Sequence, residues 1–260
     1  MLMDPGMNNP RTIALCGKGG VGKTTAAALM VKAMADRGNR RILAIDADPA
    51  IGLSHALGVD VGKTVDDIRN DLIEKIRGEG IGDKADTLHM LDYEVFDALV
   101  EHKTFALLAI GRPEGEGCYC QVNQLLKGII ESLSRNFDVI IIDGEAGIEQ
   151  VNRRVMKNVD HLVLVSDTSA KGLNVAKTIK KVADNNGAVD YKSTGLLLNR
   201  IRDKEEVSMI MDHADLDLLG WIPEDELVRE YDFKGRSYLD FPEASATSVV
   251  IRDILDSIEI

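Results

Sequence analysis

Two short stretches carry side chains whose types and spacing could do chemistry: "GKGGVGKTT" at residues 17–25 and "GCYC" at residues 117–120. The first satisfies the phosphate-binding pattern G-x-x-x-x-G-K-[ST] and sits between a predicted strand and a predicted helix, the context that pattern requires. Gly17, Gly19, Gly20 and Gly22 let the backbone wrap closely. The amides around Val21 then point at phosphate, and the helix start adds partial positive charge. Lys23 would reach the β- and γ-phosphates, Thr24 would ligate Mg²⁺, and Thr25 would donate near the α-phosphate. The second stretch sets Cys118 and Cys120 one residue apart in a chain with three cysteines. In an extended C-x-C both thiols face the same way, because the side-chain period is two. Two thiolates can share one metal ion but fill only half of a tetrahedral sulfur shell. The third cysteine, Cys16, stands at a strand end and reads as packing.

The elements that must position these groups follow from hydrophobic periodicity. Apolar runs at 12–16, 41–46, 105–110 and 216–223 read as strands, and the nearly continuous runs at 137–143, 161–167 and 193–200 suit strands buried on both faces. Amphipathic stretches separate them, so the predicted fold is α/β: a single P-loop domain with a mostly parallel central sheet flanked by helices on both faces. Residues 1–10 read as a disordered extension and 11–260 as the domain, decorated by a helical insertion near 64–94. That insertion opens at Thr64, with Asp67 three residues on as in a capping box. The helix after the cysteine loop is predicted over 123–136, and the last apolar helix is predicted to dock on the core.

The 260 residues carry a net charge of -12 with 45% hydrophobic and 28% charged residues. That acidity argues against nucleic acid as a partner. The C-terminal helix is net acidic, which argues against a membrane surface. Sparse thiols with no export signal point to a reducing cytoplasm. His55, His89, His102, His161 and His213 are scattered and offer no competing metal spacing.

Lys18, a second lysine right after Gly17, narrows the reading. The sequence resembles the deviant Walker A ATPases, which include the nitrogenase iron protein, the septum-site and chromosome-partition ATPases, and metallocentre-maturation ATPases. The resemblance implies a homodimer that sandwiches ATP, with Lys18 reaching the partner's phosphates. It makes Asp48 the residue that orients the attacking water and Asp46 a support for the magnesium shell, both in "DADP" (46–49). It makes Asp143 the carboxylate behind Mg²⁺ and places Gly147 in the switch that senses the γ-phosphate. Glu145 stays open between a subunit contact and a solvated carboxylate. "LNRIRD" lacks the N-K-x-D of GTP-specific relatives. Asn199 with Arg200, and Ile222, Pro223 and Glu224 within "WIPED", match the family's adenine-binding segments, so ATP is the expected nucleotide.

Within that family the cysteine loop resembles the ATPases that assist nickel insertion into carbon monoxide dehydrogenase and acetyl-CoA synthase. The implied site is Ni²⁺ or Zn²⁺ held by Cys118 and Cys120 of two subunits, and the implied partner is a client nickel metalloenzyme. The alternatives are an electron-transfer ATPase like the nitrogenase iron protein, whose cysteines lie far apart in sequence, and a positioning ATPase, which needs a basic surface or tail.

Overall fold

In the computed structural model the apolar runs form one sheet, in which the run 216–223 is a half-buried edge strand. The structure describes residues 9–79, 83–112, 120–145, 155, 158–186 and 190–260. In chain order the elements are β1 (Arg11–Gly17), α1 (Lys23–Arg37), β2 (Ile42–Asp46), α2 (Gly52–Leu57), α3 (Val65–Glu79), α4 (Lys84–Asp97), β3 (Val100–Glu101) and β4 (Ala106–Ala109). There follow α5 (Cys120–Ser134), β5 (Val139–Asp143), β6 (Asn158–Ser166), α6 (Ala170–Asn186), β7 (Asp190–Ile201), α7 (Lys204–Ala214), β8 (Leu218–Pro223), α8 (Glu226–Lys234) and α9 (Ala246–Ser257). A 3₁₀ turn, Tyr238–Asp240, joins the last two helices.

The eight strands run in the order β3-β4-β2-β5-β1-β6-β7-β8. All pairings are parallel except β3 with β4. The sheet is therefore the α/β fold that the apolar runs predict, with a short antiparallel edge that they did not reveal. A two-residue strand is too short to show a period. On β1, Ala14 and Cys16 enter one core while Ile13 and Leu15 enter the other. Helices α3 to α7 cover the first face; α1, α2, α8 and α9 cover the second. Cys16 is fully buried in the first core, as a packing residue should be.

Helix α1 is buried along most of its length, from Ala26 to Met34. Its alanines let it lie close to the sheet, and α2, the 3₁₀ turn and α9 close over it. Beneath them Tyr231 meets Phe241 edge to face, with ring centroids 4.9 Å apart. Helix α9 buries Ile251, Ile254 and Leu255, so the last apolar helix docks on the core. Among the described residues no helix is long and apolar enough to cross a membrane.

Thr64 and Asp67 form the expected reciprocal cap: Thr64 N donates to Asp67 Oδ2 at 2.8 Å, and Asp67 N to Thr64 Oγ1 at 3.1 Å. Helix α5 begins at Cys120, three residues before the predicted start. Val122 extends the buried series Leu126, Ile129 and Ile130 back by one turn, and helix propagates where that face can still be buried. Cys120, the first described residue after Arg112, therefore lies in a helix. Cys118 lies outside the described residues, as do residues 1–8 of the expected N-terminal extension and Gly147.

Candidate nucleotide site

Strand order decides where the site lies. β1 sits between β5 and β6, where connections turn from one side of the sheet to the other, and ligands of such sheets bind outside the carboxyl ends at that point. The loop from β1 to α1 holds the phosphate-binding pattern there. Gly17 leaves room for the neighbouring strand: a Cβ would fall 2.1 Å from the Val165 carbonyl oxygen. Gly22, at φ 95°, stands at the N-terminus of α1 with no side chain capping that end. Its backbone lies in the left-handed region, which glycine adopts readily. The first amides of α1 are thereby left for a ligand.

Lys23 is buried, and its Nζ donates to the Lys18 carbonyl at 3.3 Å. Lys18 Nζ lies 3.9 Å from Asp167 Oδ2, a carboxylate that no sequence motif marks. The Thr24 hydroxyl donates to Asp143 Oδ2 at 2.7 Å. Asp46 and Asp143 are register partners at the ends of β2 and β5. Asp46 Oδ2 accepts from Leu53 N at 2.8 Å, and Oδ1 accepts from Asp48 N at 3.3 Å. Asp48 Oδ1 accepts from Ala50 N at 2.9 Å, which shapes the loop after β2. Glu145 lines a cleft of about 380 Å³ with Lys23, Asp48 and Arg112.

Both buried carboxylates are held above the ordinary range. Burial pushes Asp143 up to about 7, against the pull of the Thr24 hydroxyl. Burial pushes Asp46 up to about 6, offset in part by the backbone donors Leu53, Asp48 and Ser54. Asp143 Oδ1 is buried and has no hydrogen-bond partner among the described residues. A hydroxyl, two converging carboxylates and an orphaned oxygen suit a hard divalent cation such as Mg²⁺, with Thr24 as direct ligand and the carboxylates behind it.

The same pair yields an expected pH dependence. With native values above the unfolded value near 4, the folded chain holds protons the unfolded chain has lost. Stability of the metal-free protein should therefore fall as pH rises from about 4 to 7. The loss is on the order of 6 kcal/mol for the two groups together, since a tenfold change in proton affinity is worth about 1.4 kcal/mol. Thermal melts of the metal-free chain between pH 5 and 8 would show it, and Asp143→Asn should flatten the slope. An equal slope in the variant would detach the effect from these carboxylates.

The segments expected to hold adenine lie across the P-loop. Asn199 Nδ2 donates to the Val21 carbonyl at 2.8 Å, and Asn199 Oδ1 accepts from Arg200 N at 2.9 Å. Asn199 thus ties β7 to the P-loop and leaves no space at Gly22, where a Cβ would fall 2.2 Å from Nδ2. Arg200 takes φ 62°, unusual for a side-chain-bearing residue, as the pairing of β7 with β8 slips. A cavity of about 300 Å³ opens here between Gly22, Thr25, Asn199, Arg200 and the segment Ile222, Pro223 and Glu224. Asp225, the last residue of "WIPED", and Thr247, which no sequence motif marked, also line it. Asp225 caps α8 through Leu227 N at 2.9 Å and accepts from Thr247 Oγ1 at 2.7 Å. An aspartate before an apolar helical run was a readable cap signal. Thr247 gave no local signal, because only packing of α9 brings it there.

Among the described residues no cluster of three His, Cys, Asp or Glu side chains is placed to hold a metal ion.

A glycine-rich turn at the central strand's carboxyl end, a buried lysine and a threonine–aspartate pair define a P-loop nucleotide-binding protein. The chain belongs to the CobQ/CobB/MinD/ParA nucleotide-binding domain family, CbiA, whose pattern matches residues 12–238. It is 39% identical over 249 residues to an uncharacterised ATP-binding protein of Methanocaldococcus jannaschii, covering 95% of this chain and 97% of that one. It is 32% identical over 242 residues to the carbon monoxide dehydrogenase accessory protein CooC of Rhodospirillum rubrum, covering 89% and 90%. The septum site-determining protein MinD of Pyrococcus horikoshii, solved with Mg-ADP, shares the fold at TM-score 0.69 and 23% identity, with 96% of each chain covered.

Proposed function

We propose that the protein is an ATPase that dimerises on ATP and assists nickel insertion into a metalloenzyme of the carbon monoxide dehydrogenase/acetyl-CoA synthase type. One coincidence carries this reading: a chain similar to a carbon monoxide dehydrogenase accessory protein over 242 residues also has a C-x-C pair after β4, its second cysteine the first residue of α5. In the proposed cycle, the amides of Gly19 to Gly22 and the ammonium of Lys23 hold the triphosphate. Thr24, with Asp46 and Asp143 behind it, holds Mg²⁺, whose charge offsets that of the phosphates. Asp48 orients a water that attacks the γ-phosphorus, and the bond to the β,γ-bridging oxygen breaks to release ADP and phosphate. Asn199, Arg200, Ile222, Pro223 and Glu224 surround adenine.

Lys18 supplies the second cation, across the dimer. In the single chain it rests beside Asp167, so sandwiching ATP exchanges an intramolecular carboxylate for the partner's phosphate. The nickel ion is cargo. Two thiolates per chain supply half a shell, and a two-fold axis would supply the other half. ATP and metal are then linked through one dimer equilibrium, and that linkage is reciprocal.

Titrating anaerobic protein with Ni²⁺, followed by thiolate charge-transfer absorption and by mass, should give one metal per two chains. A non-hydrolysable ATP analogue should tighten binding, and Lys18→Ala should remove that tightening with the ATP-dependent dimer. Unchanged binding in the double variant Cys118→Ser, Cys120→Ser, or tight binding of one metal per chain, would sink the shared site.

A further inference from the structure

We propose that Arg112 contacts the γ-phosphate and distinguishes ATP from ADP, a role that rests on the nucleotide reading of the same site but not on the metal reading. Its backbone is pinned. Ile110 N donates to the Asp46 carbonyl at 2.8 Å, and Asp66 N donates to the Ile110 carbonyl at 2.9 Å, fixing the end of β4 against β2 and α3. Gly111 then turns the chain at φ 84°, where a Cβ would lie 2.6 Å from Thr64 Oγ1. Only glycine makes that turn without displacing the cap of α3. Arg112 follows at once, so its side chain starts from a rigid base at the carboxyl edge of the sheet.

The side chain lines the cleft shared by Gly19, Lys23, Asp48 and Glu145. Arg112 is exposed and makes no hydrogen bond or ion pair with any other described residue. A guanidinium presents a fixed fork of five donors that matches phosphate oxygens, and among the described residues nothing engages that fork. The charge arrangement also calls for it. Asp48 and Glu145 place two carboxylates in the cleft, and Lys23 alone would face both of them together with the γ-phosphate. Among the described residues of the lining, Arg112 balances the second carboxylate and lets a phosphate enter beside the one that Asp48 offers to water.

The geometry restricts this contact to the terminal phosphate. The nucleoside cavity is lined by Gly22, Thr25 and Asn199, whereas the Arg112 cleft opens on the side of Asp48 and Glu145. ADP fills the first end and leaves the second without phosphate. The energy of the Arg112 contact is then gained by ATP alone, and that difference drives a switch between the two nucleotide states.

Calorimetric titration of the full chain with Mg²⁺ and either AMP-PNP or ADP tests this, using wild type, Arg112→Ala and Arg112→Lys. Arg112→Ala should weaken AMP-PNP roughly ten- to a hundredfold, the range for a lost charge-assisted hydrogen bond, and change ADP affinity less than about threefold. Arg112→Lys keeps the charge without the fork and should fall between. Melting curves without nucleotide report folding, and Arg112→Gln replaces the alanine variant if that one unfolds. A wild type that binds both nucleotides, with variants whose AMP-PNP to ADP ratio is unchanged, overturns this inference alone. A wild type that binds neither overturns the nucleotide reading with it.

Discussion

Lys23→Ala is expected to weaken Mg-ATP binding by at least about a hundredfold while the metal-free fold persists. Its ammonium is buried and meets one carbonyl, that of Lys18, at 3.3 Å. Such a group is largely desolvated yet thinly partnered, so triphosphate oxygens would supply the contacts it lacks. Two charge-assisted hydrogen bonds at about 1.5–3 kcal/mol each account for a loss of that size. For the same reason the free protein gives up little, and its melting temperature should hold. Calorimetric titration with an ATP analogue, alongside melting curves, measures both. Wild-type affinity in the variant would remove Lys23 from the site.

Asp48→Ala is expected to leave ATP bound while turnover falls about a hundred- to a thousandfold, the range for losing a group that positions and accepts a proton. Asp48 also shapes its own loop, since Oδ1 accepts from Ala50 N. Alanine removes both functions. Asp48→Asn separates them, because an amide oxygen still accepts that bond but the charge is gone. Phosphate release and analogue affinity should be followed for both variants. Slow hydrolysis in both, with affinity kept, assigns the effect to the carboxylate. Full turnover in Asp48→Asn would reduce Asp48 to a turn former.

Lys23 stands out in the amino-acid sequence because the pattern that marks it is local, whereas Asp48 is marked there only through the family resemblance. A P-loop is a contiguous pattern of glycines, lysine and threonine, and each residue's demand arises within one turn of chain. Buried strands announce themselves as apolar runs such as 137–143, since each residue's burial follows from the residues beside it. The cap of α3 by Thr64 and Asp67 is a three-residue exchange. Where local signals weaken, boundaries slip: α5 starts at Cys120 because its buried face reaches Val122, which only the packed core can tell. Strand β3 is too short to carry a period at all.

What the tertiary structure alone decided is which distant groups meet. Strand order sets β5 beside both β1 and β2, so Thr24 and Asp143, 119 residues apart, share a hydrogen bond. Packing brings Asn199 to the Val21 carbonyl across 178 residues, and Thr247 of α9 to the cavity beside Gly22 and Asn199. The raised pKa values of Asp46 and Asp143 follow from how deeply the packed layers bury the two strand ends. Arg112, unmarked by any motif, gained its place only when β4 settled beside β2. Chemistry that is complete within a few bonds can be read from neighbouring residues. A site assembled from several strand ends depends on sheet order, and sheet order is settled by burial summed over the whole chain.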